Sequence, residues 1–238
     1  MEPEAQSPDF NRTDESRPDR AVQAVELVVV LLLMMPLFLP SRLSFGERGV
    51  TFARASCLII LQEVARTSLI LYLLWRNSEP VRSIGWTVRR PWADLGLGGV
   101  AYVPVMVASM AAAHVLYALG LRGNVLPPYL FPRGGAEAAY SLLHIAVIAI
   151  TQEITFRGYL LSRLTTVTRS LPAAVLLSSV LFALMHAYQG FPWVVSAGVV
   201  GLSCALLYVW RKSLLAPIVL HFVLNLSNIT VAGLLMKR

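Results

Sequence analysis

Three short patterns toward the C-terminus place hydrogen-bonding side chains one helical turn apart in otherwise apolar sequence. The first is Thr151-Gln152-Glu153-Ile154-Thr155-Phe156-Arg157-Gly158, with Glu153 and Arg157 four apart. The second pairs Phe182 with His186, and the third pairs His221 with Asn225, followed by Asn228. Residues four apart share one face of a helix. Each pattern therefore aims its polar groups at one place, and in an apolar medium those groups must find partners inside a helix bundle. The spacing of Glu153 and Arg157 predicts a structural ion pair. Taken one at a time, the patterns are equally well explained as hydrogen bonds between packed helices. Taken together, Gln152, Glu153, His186, His221 and Asn225 include groups able to activate water and groups able to hold a developing oxyanion. Those are the parts of a hydrolytic site, and the residues are expected to line one polar cavity.

The elements that must position these groups follow from composition. The chain has 238 residues, 56% of them apolar and only 14% charged, with a mean hydropathy of +0.65. Water-soluble domains average roughly 45–50% apolar and about 25% charged, so a soluble fold is excluded, as are disordered, collagen-like and coiled-coil classes. A span needs about 20 residues. Apolar runs over 22–39, 52–75, 95–119, 140–160, 171–187, 193–210 and 213–236 predict an all-α polytopic membrane protein, a bundle of about seven transmembrane helices. The tryptophans Trp75, Trp86, Trp92, Trp193 and Trp210 fall at or near span ends, as interfacial aromatics do. Residues 1–20 are polar, contain proline and are acidic on balance. They read as a disordered tail rather than a cleavable signal peptide. Residues 21–238 read as a single membrane-embedded domain with its motif-bearing core over about 140–228. The segment 83–97 reads as an interfacial connector, and no internal repeat suggests a transporter of inverted halves.

The net charge of +7 is spread between the apolar runs rather than clustered, which points to headgroups and topology and away from nucleic acid. With the N-terminus inside, twelve Lys and Arg fall on the cytoplasmic side and six on the other. The expected location is the cell membrane, multi-pass, with a cytoplasmic N-terminus. Cys57 and Cys204 both lie within apolar runs and read as small buried side chains, with no disulfide framework and no zinc spacing. Of the other polar groups inside runs, Glu63 and Arg66 are three apart and can pair or line a polar cavity. Glu26 is expected near the headgroups.

In order and spacing, QExxxR (Gln152 to Arg157), FxxxH (Phe182 to His186) and HxxxN (His221 to Asn225) resemble the signature EExxxR, FxxxH, HxxxN of the CAAX-protease and bacteriocin-processing family of intramembrane proteases. Phe156-Arg157-Gly158-Tyr159-Leu160 and Ser213-Leu214-Leu215-Ala216-Pro217 agree as well. The resemblance implies an all-helical membrane endopeptidase cutting near the membrane, akin to the protease that trims prenylated CAAX proteins. The same family includes bacterial members tied to bacteriocin maturation or self-immunity, such as those similar to lysostaphin-resistance protein A. It further implies that the first motif position and His186 activate water, and that His221 and Asn225 hold the oxyanion.

The sequence departs from that pattern at Gln152, where the family has its first glutamate. An amide cannot take water's proton. The chain then reads as an inactivated form, as a natural pseudoprotease, or as a slow enzyme with His186 as base. Glu153 lies about 100° further around the helix, so its service as base requires a shifted or unwound helix. A metal-free site is favoured over zinc, because Gln152 is a poor ligand and no third histidine lies on these stripes. The expected partners are a peptide or membrane-tethered protein substrate and the bilayer, with oligomeric state left open. The alternative is a catalytically silent membrane protein that binds a peptide, or serves immunity or as a scaffold, on the same fold.

Overall fold

A backbone in lipid must satisfy its own hydrogen bonds, and the apolar runs accordingly fold as helices. The computed structural model describes residues 19–38, 50–124 and 126–235, and all regular structure among them is helical. The polar segment before residue 19, and 39–49 with Arg42 and Arg48 of the charge count, lie outside the described residues. The helices are α1 (Arg20–Phe38), α2 (Phe52–Arg76), α3 (Pro91–Ala118), α4 (Gly135–Glu153), α5 (Leu161–Thr168), α6 (Leu171–Leu184), α7 (Phe191–Arg211) and α8 (Leu215–Leu235). A π-helical segment, Ile154–Leu160, joins α4 to α5. Among the described residues, four helical stretches are long and apolar enough to cross a membrane: Phe52–Arg76, Pro91–Ala118, Gly135–Thr168 and Phe191–Arg211. The protein is an all-α, multi-pass membrane bundle.

The fourth apolar run was expected to stop near Leu160, yet the helix continues to Thr168. Its polar end survives because hydroxyls bond back to the preceding turn: Thr165 Oγ1 donates to the Leu161 carbonyl at 2.7 Å and Thr168 Oγ1 to that of Leu164 at 2.7 Å. The expected connector 83–97 is shorter than its composition suggested. A 3₁₀ turn, Val81–Ile84, occupies its start, and α3 begins at Pro91, whose ring suits the first turn of a helix. At Gly98 a Cβ would lie 2.5 Å from the Ala216 carbonyl oxygen and 2.8 Å from Val219 Cβ, so only glycine lets α3 approach α8 this closely. Further packing sets α3 against α7, α6 against α7, and α2 against α4.

Burial is arranged for lipid outside and polarity inside. Val25, Leu32, Leu61, Val100, Val107 and Leu176 are exposed, while Glu26, Glu63, Glu79, Asp94, Glu153, Arg157 and Arg163 are buried. Cys204 is buried as expected, but Cys57 is exposed on α2. Glu26 and Arg163 are buried together in one network. Arg163 grips Glu79 through two bonds, of 2.6 and 3.0 Å, with Glu26 3.5 Å away. Glu26 also accepts from Asn77 Nδ2 at 2.8 Å and from the Tyr159 hydroxyl at 3.3 Å. Charges in a low-dielectric interior persist only when paired, and this network fastens α1, the end of α2, and α5. Replacing Arg163 with methionine strands two carboxylates, and a broken buried pair costs about 3–5 kcal/mol. The expected result is loss of the monodisperse chromatographic peak in mild detergent, with recovery when Glu79→Gln is added.

Candidate active site

The polar patterns meet where α4 changes winding. After Glu153 the backbone widens from α to π geometry through Ile154–Leu160. Single π turns inside α-helices are frequent at functional sites. Gly158 sits in this turn, where a Cβ would stand 3.1 Å from the Ile84 carbonyl oxygen. The missing side chain thus lets the widened turn pack on the 3₁₀ segment. Every residue from Thr151 to Leu164 is buried.

Glu153 is the hub. Its Oε1 accepts from Arg157 Nη1 at 2.9 Å and lies 2.8 Å from His221 Nδ1. Its Oε2 is buried with no protein partner among the described residues. Arg157 spans two helices, since its Nη2 donates to the Gly201 carbonyl of α7 at 2.9 Å. Its guanidinium also lies over the Phe182 ring, 4.5 Å from the centroid. The Phe182 ring is the shared wall of the site. His186 packs against it at 5.1 Å and His221 at 5.5 Å between centroids, and Phe156 closes its edge at 5.3 Å. His186 lies just past the end of α6, its Nδ1 3.1 Å from the Phe182 carbonyl oxygen.

Five residues singled out by sequence therefore share one cluster: Glu153, Arg157, Phe182, His186 and His221. Gln152 turns its amide nitrogen away toward α2, where Nε2 donates to Glu63 Oε1 at 3.3 Å. Asn225 lies one turn beyond His221 on α8. It is half-buried and makes no hydrogen bond to a described residue. Asn228 is exposed.

Glu63 and Gly201 are the contributors that sequence reasoning did not place at the site. Glu63 pairs with Arg66 at 3.0 Å, as the spacing allowed, and lies 3.2 Å from Thr151 Oγ1. The only signal for it was a carboxylate inside an apolar run, which marks polar function without naming the partner. Gly201 carried no signal of its own. Its carbonyl is reachable because a Cβ there would press to 3.1 Å of Phe182 Cδ1.

A zinc ion needs three protein ligands and an open position for hydrolysis. Among the described residues no three His, Cys, Asp or Glu side chains converge in that way. Compared with known proteins, residues 134–227 match the family described as type II CAAX prenyl endopeptidase Rce1-like. No curated protein and no solved structure matches the chain.

Proposed function

We propose that this chain, whose residues 134–227 match the Rce1-like prenyl endopeptidase family, is an intramembrane endopeptidase that hydrolyses a peptide bond in a membrane-tethered substrate. One observation carries the reading: His186 Nδ1 sits on the Phe182 carbonyl oxygen. A carbonyl can only accept, so Nδ1 holds the ring proton and Nε2 keeps a free lone pair. Nε2 takes a proton from water as the water oxygen attacks the scissile carbonyl carbon. The carbon–nitrogen bond then breaks, and the proton passes from Nε2 to the departing amine.

The other residues orient this chemistry. Gln152 spends its amide N–H on Glu63, so its carbonyl oxygen is left to accept from the attacking water without taking the proton. The Asn225 amide and the His221 ring meet the developing oxyanion. Glu153 and Arg157 are positioning residues that hold the His221 ring through Nδ1. The mechanism is metal-free. The N-terminus and the arginine-rich end of the bundle face the cytoplasm, in the cell membrane, in keeping with the positive-inside bias.

The amide at position 152 favours a second reading, a silent protein that holds a peptide in the same site. One experiment separates them. Purified protein in liposomes is incubated with a library of lipid-modified peptides, and products are read by mass spectrometry. Endopeptidase action gives new termini that persist with a chelator and disappear in His186→Ala. Retention of a peptide with no new terminus, under conditions where a relative with an intact EExxxR motif cuts, establishes the silent protein instead.

A further inference from the structure

At the arginine-rich end of the bundle a cleft of about 250 Å³ opens between the start of α3 and the turn from α7 to α8. Thr87, Arg89, Arg90, Asp94, Arg211 and Ser213 line it. Its floor is braced. Arg211 Nε donates to Asp94 Oδ1 at 2.6 Å, Ser213 Oγ donates to the Thr87 carbonyl at 3.2 Å, and Ser213 Oγ accepts from the Leu215 amide at 3.2 Å. Asp94 is thereby consumed by Arg211. Arg89 and Arg90 are exposed and have no carboxylate partner among the described residues.

The charge on this cleft is not balanced from within. Two unpaired guanidiniums stand over it, and the first turn of α3, which starts at Pro91 with no side chain capping it, adds the positive end of a helix dipole. Planar guanidiniums with free N–H forks match phosphate oxygens in pairs. The cleft's level in the bilayer is marked independently. Trp92 is 83% exposed, Trp210 68% and Trp86 46%, and all three flank the cleft in sequence. Exposed tryptophans of a membrane protein lie at headgroup depth.

We infer that this cleft binds the phosphate of an anionic glycerophospholipid headgroup, held by Arg89 and Arg90 against the floor formed by Arg211 and Ser213. The occupant bridges α3 to the α7–α8 turn. This site is separate from the proposed hydrolytic one and does not depend on it.

The test uses the full-length protein in detergent, titrated with phosphatidylglycerol, phosphatidylcholine or inorganic phosphate. Bound lipid is counted by native mass spectrometry and thermal stability is followed. Arg89→Gln with Arg90→Gln is the informative variant, because neither side chain holds the fold together. Arg82→Gln, exposed at the same end but outside the cleft, is the control for general surface charge. One phosphatidylglycerol per chain is expected on the native protein, with no such retention of phosphatidylcholine. Its affinity falls about 25-fold in the double variant, as for two cations each worth about fivefold beside anionic headgroups. Arg82→Gln leaves it within about twofold of native. Equal affinity for native and double-variant protein overturns the site. Stabilisation by inorganic phosphate that the double variant abolishes, with no lipid retained, overturns the lipid assignment in favour of a soluble phosphate.

Discussion

Exchanging the two side chains that meet between α2 and α4, Gln152→Glu together with Glu63→Gln, is expected to raise peptide turnover by about two to four orders of magnitude, the range for a positioned general base. In the native protein the amide of Gln152 donates to Glu63 at 3.3 Å. The exchange keeps that bond with its direction reversed, because the amide introduced at position 63 then donates to the carboxylate introduced at position 152. It also moves an acceptor for water's proton to the position that the family signature gives to a glutamate. Gln152→Glu alone does less. It sets two carboxylates at hydrogen-bond distance with one cation, Arg66, paired there among the described residues, and like charges that close repel. The single variant should therefore lose thermal stability, and the second change should restore it. Glu63→Gln alone leaves position 152 an amide and gives no gain. The measurement is initial rate on one lipid-modified peptide for all four proteins, alongside their melting temperatures. A folded double variant no faster than native would mean that the carboxylate at 152 does not receive the proton. The gain must also vanish when Asn225→Ala is added, since activated water still needs a donor for the oxyanion.

The helices were legible because lipid removes alternatives. An apolar run of about 20 residues has few options besides a helix, and every run read from the sequence is one in the structure. The boundaries that moved did so where side chains do what composition does not announce. Thr165 and Thr168 carry α5 past the end of the apolar run by bonding their own helix. Pro91 starts α3 a turn before the apolar run begins.

The site divides in the same manner. Contacts within one helix, such as Glu153 to Arg157 or His186 to the Phe182 carbonyl, follow from a spacing of four and are readable from sequence. Contacts between distant helices are not. Gln152 and Glu63 are 89 positions apart, and Arg157 reaches Gly201 across 44. Periodicity fixes which face of a helix is polar but not which other helix that face meets. The π segment was hidden for a different reason. Its sequence, Ile-Thr-Phe-Arg-Gly-Tyr-Leu, has no residue type that forces the widened turn, and what accommodates it is the absent Cβ of Gly158 against Ile84. The partners of Glu26 and Arg163 were hidden because each residue, read alone, names none. Their burial is tolerable only as members of one network with Glu79.

Arg157→Met is expected to cost about 3–5 kcal/mol, the penalty for leaving one member of a buried ion pair uncompensated. For a chain of this size that corresponds to roughly a 10 °C fall in melting temperature. The guanidinium is fully buried and does three things at once. It neutralises Glu153 at 2.9 Å, donates to the Gly201 carbonyl at 2.9 Å, and stacks over Phe182 at 4.5 Å. Methionine replaces much of the apolar contact and none of the donors. Adding Glu153→Gln separates these contributions. The amide oxygen at 153 still accepts from His221 Nδ1, so that ring keeps its anchor, while the stranded charge is gone. Replacing both members of a buried pair by neutral groups is often close to neutral, so the double variant should recover most of the lost stability. What remains is the lost charge-assisted bond to the Gly201 carbonyl, which α7 still pairs within its own helix, worth about 1.5–3 kcal/mol. If charge compensation is the role of Arg157, the order of melting temperatures is native, then double, then Arg157→Met. A double variant melting no higher than Arg157→Met would assign the whole cost to the Gly201 bond and the Phe182 stack. Glu153 would then be left as a carboxylate that the site tolerates without its arginine.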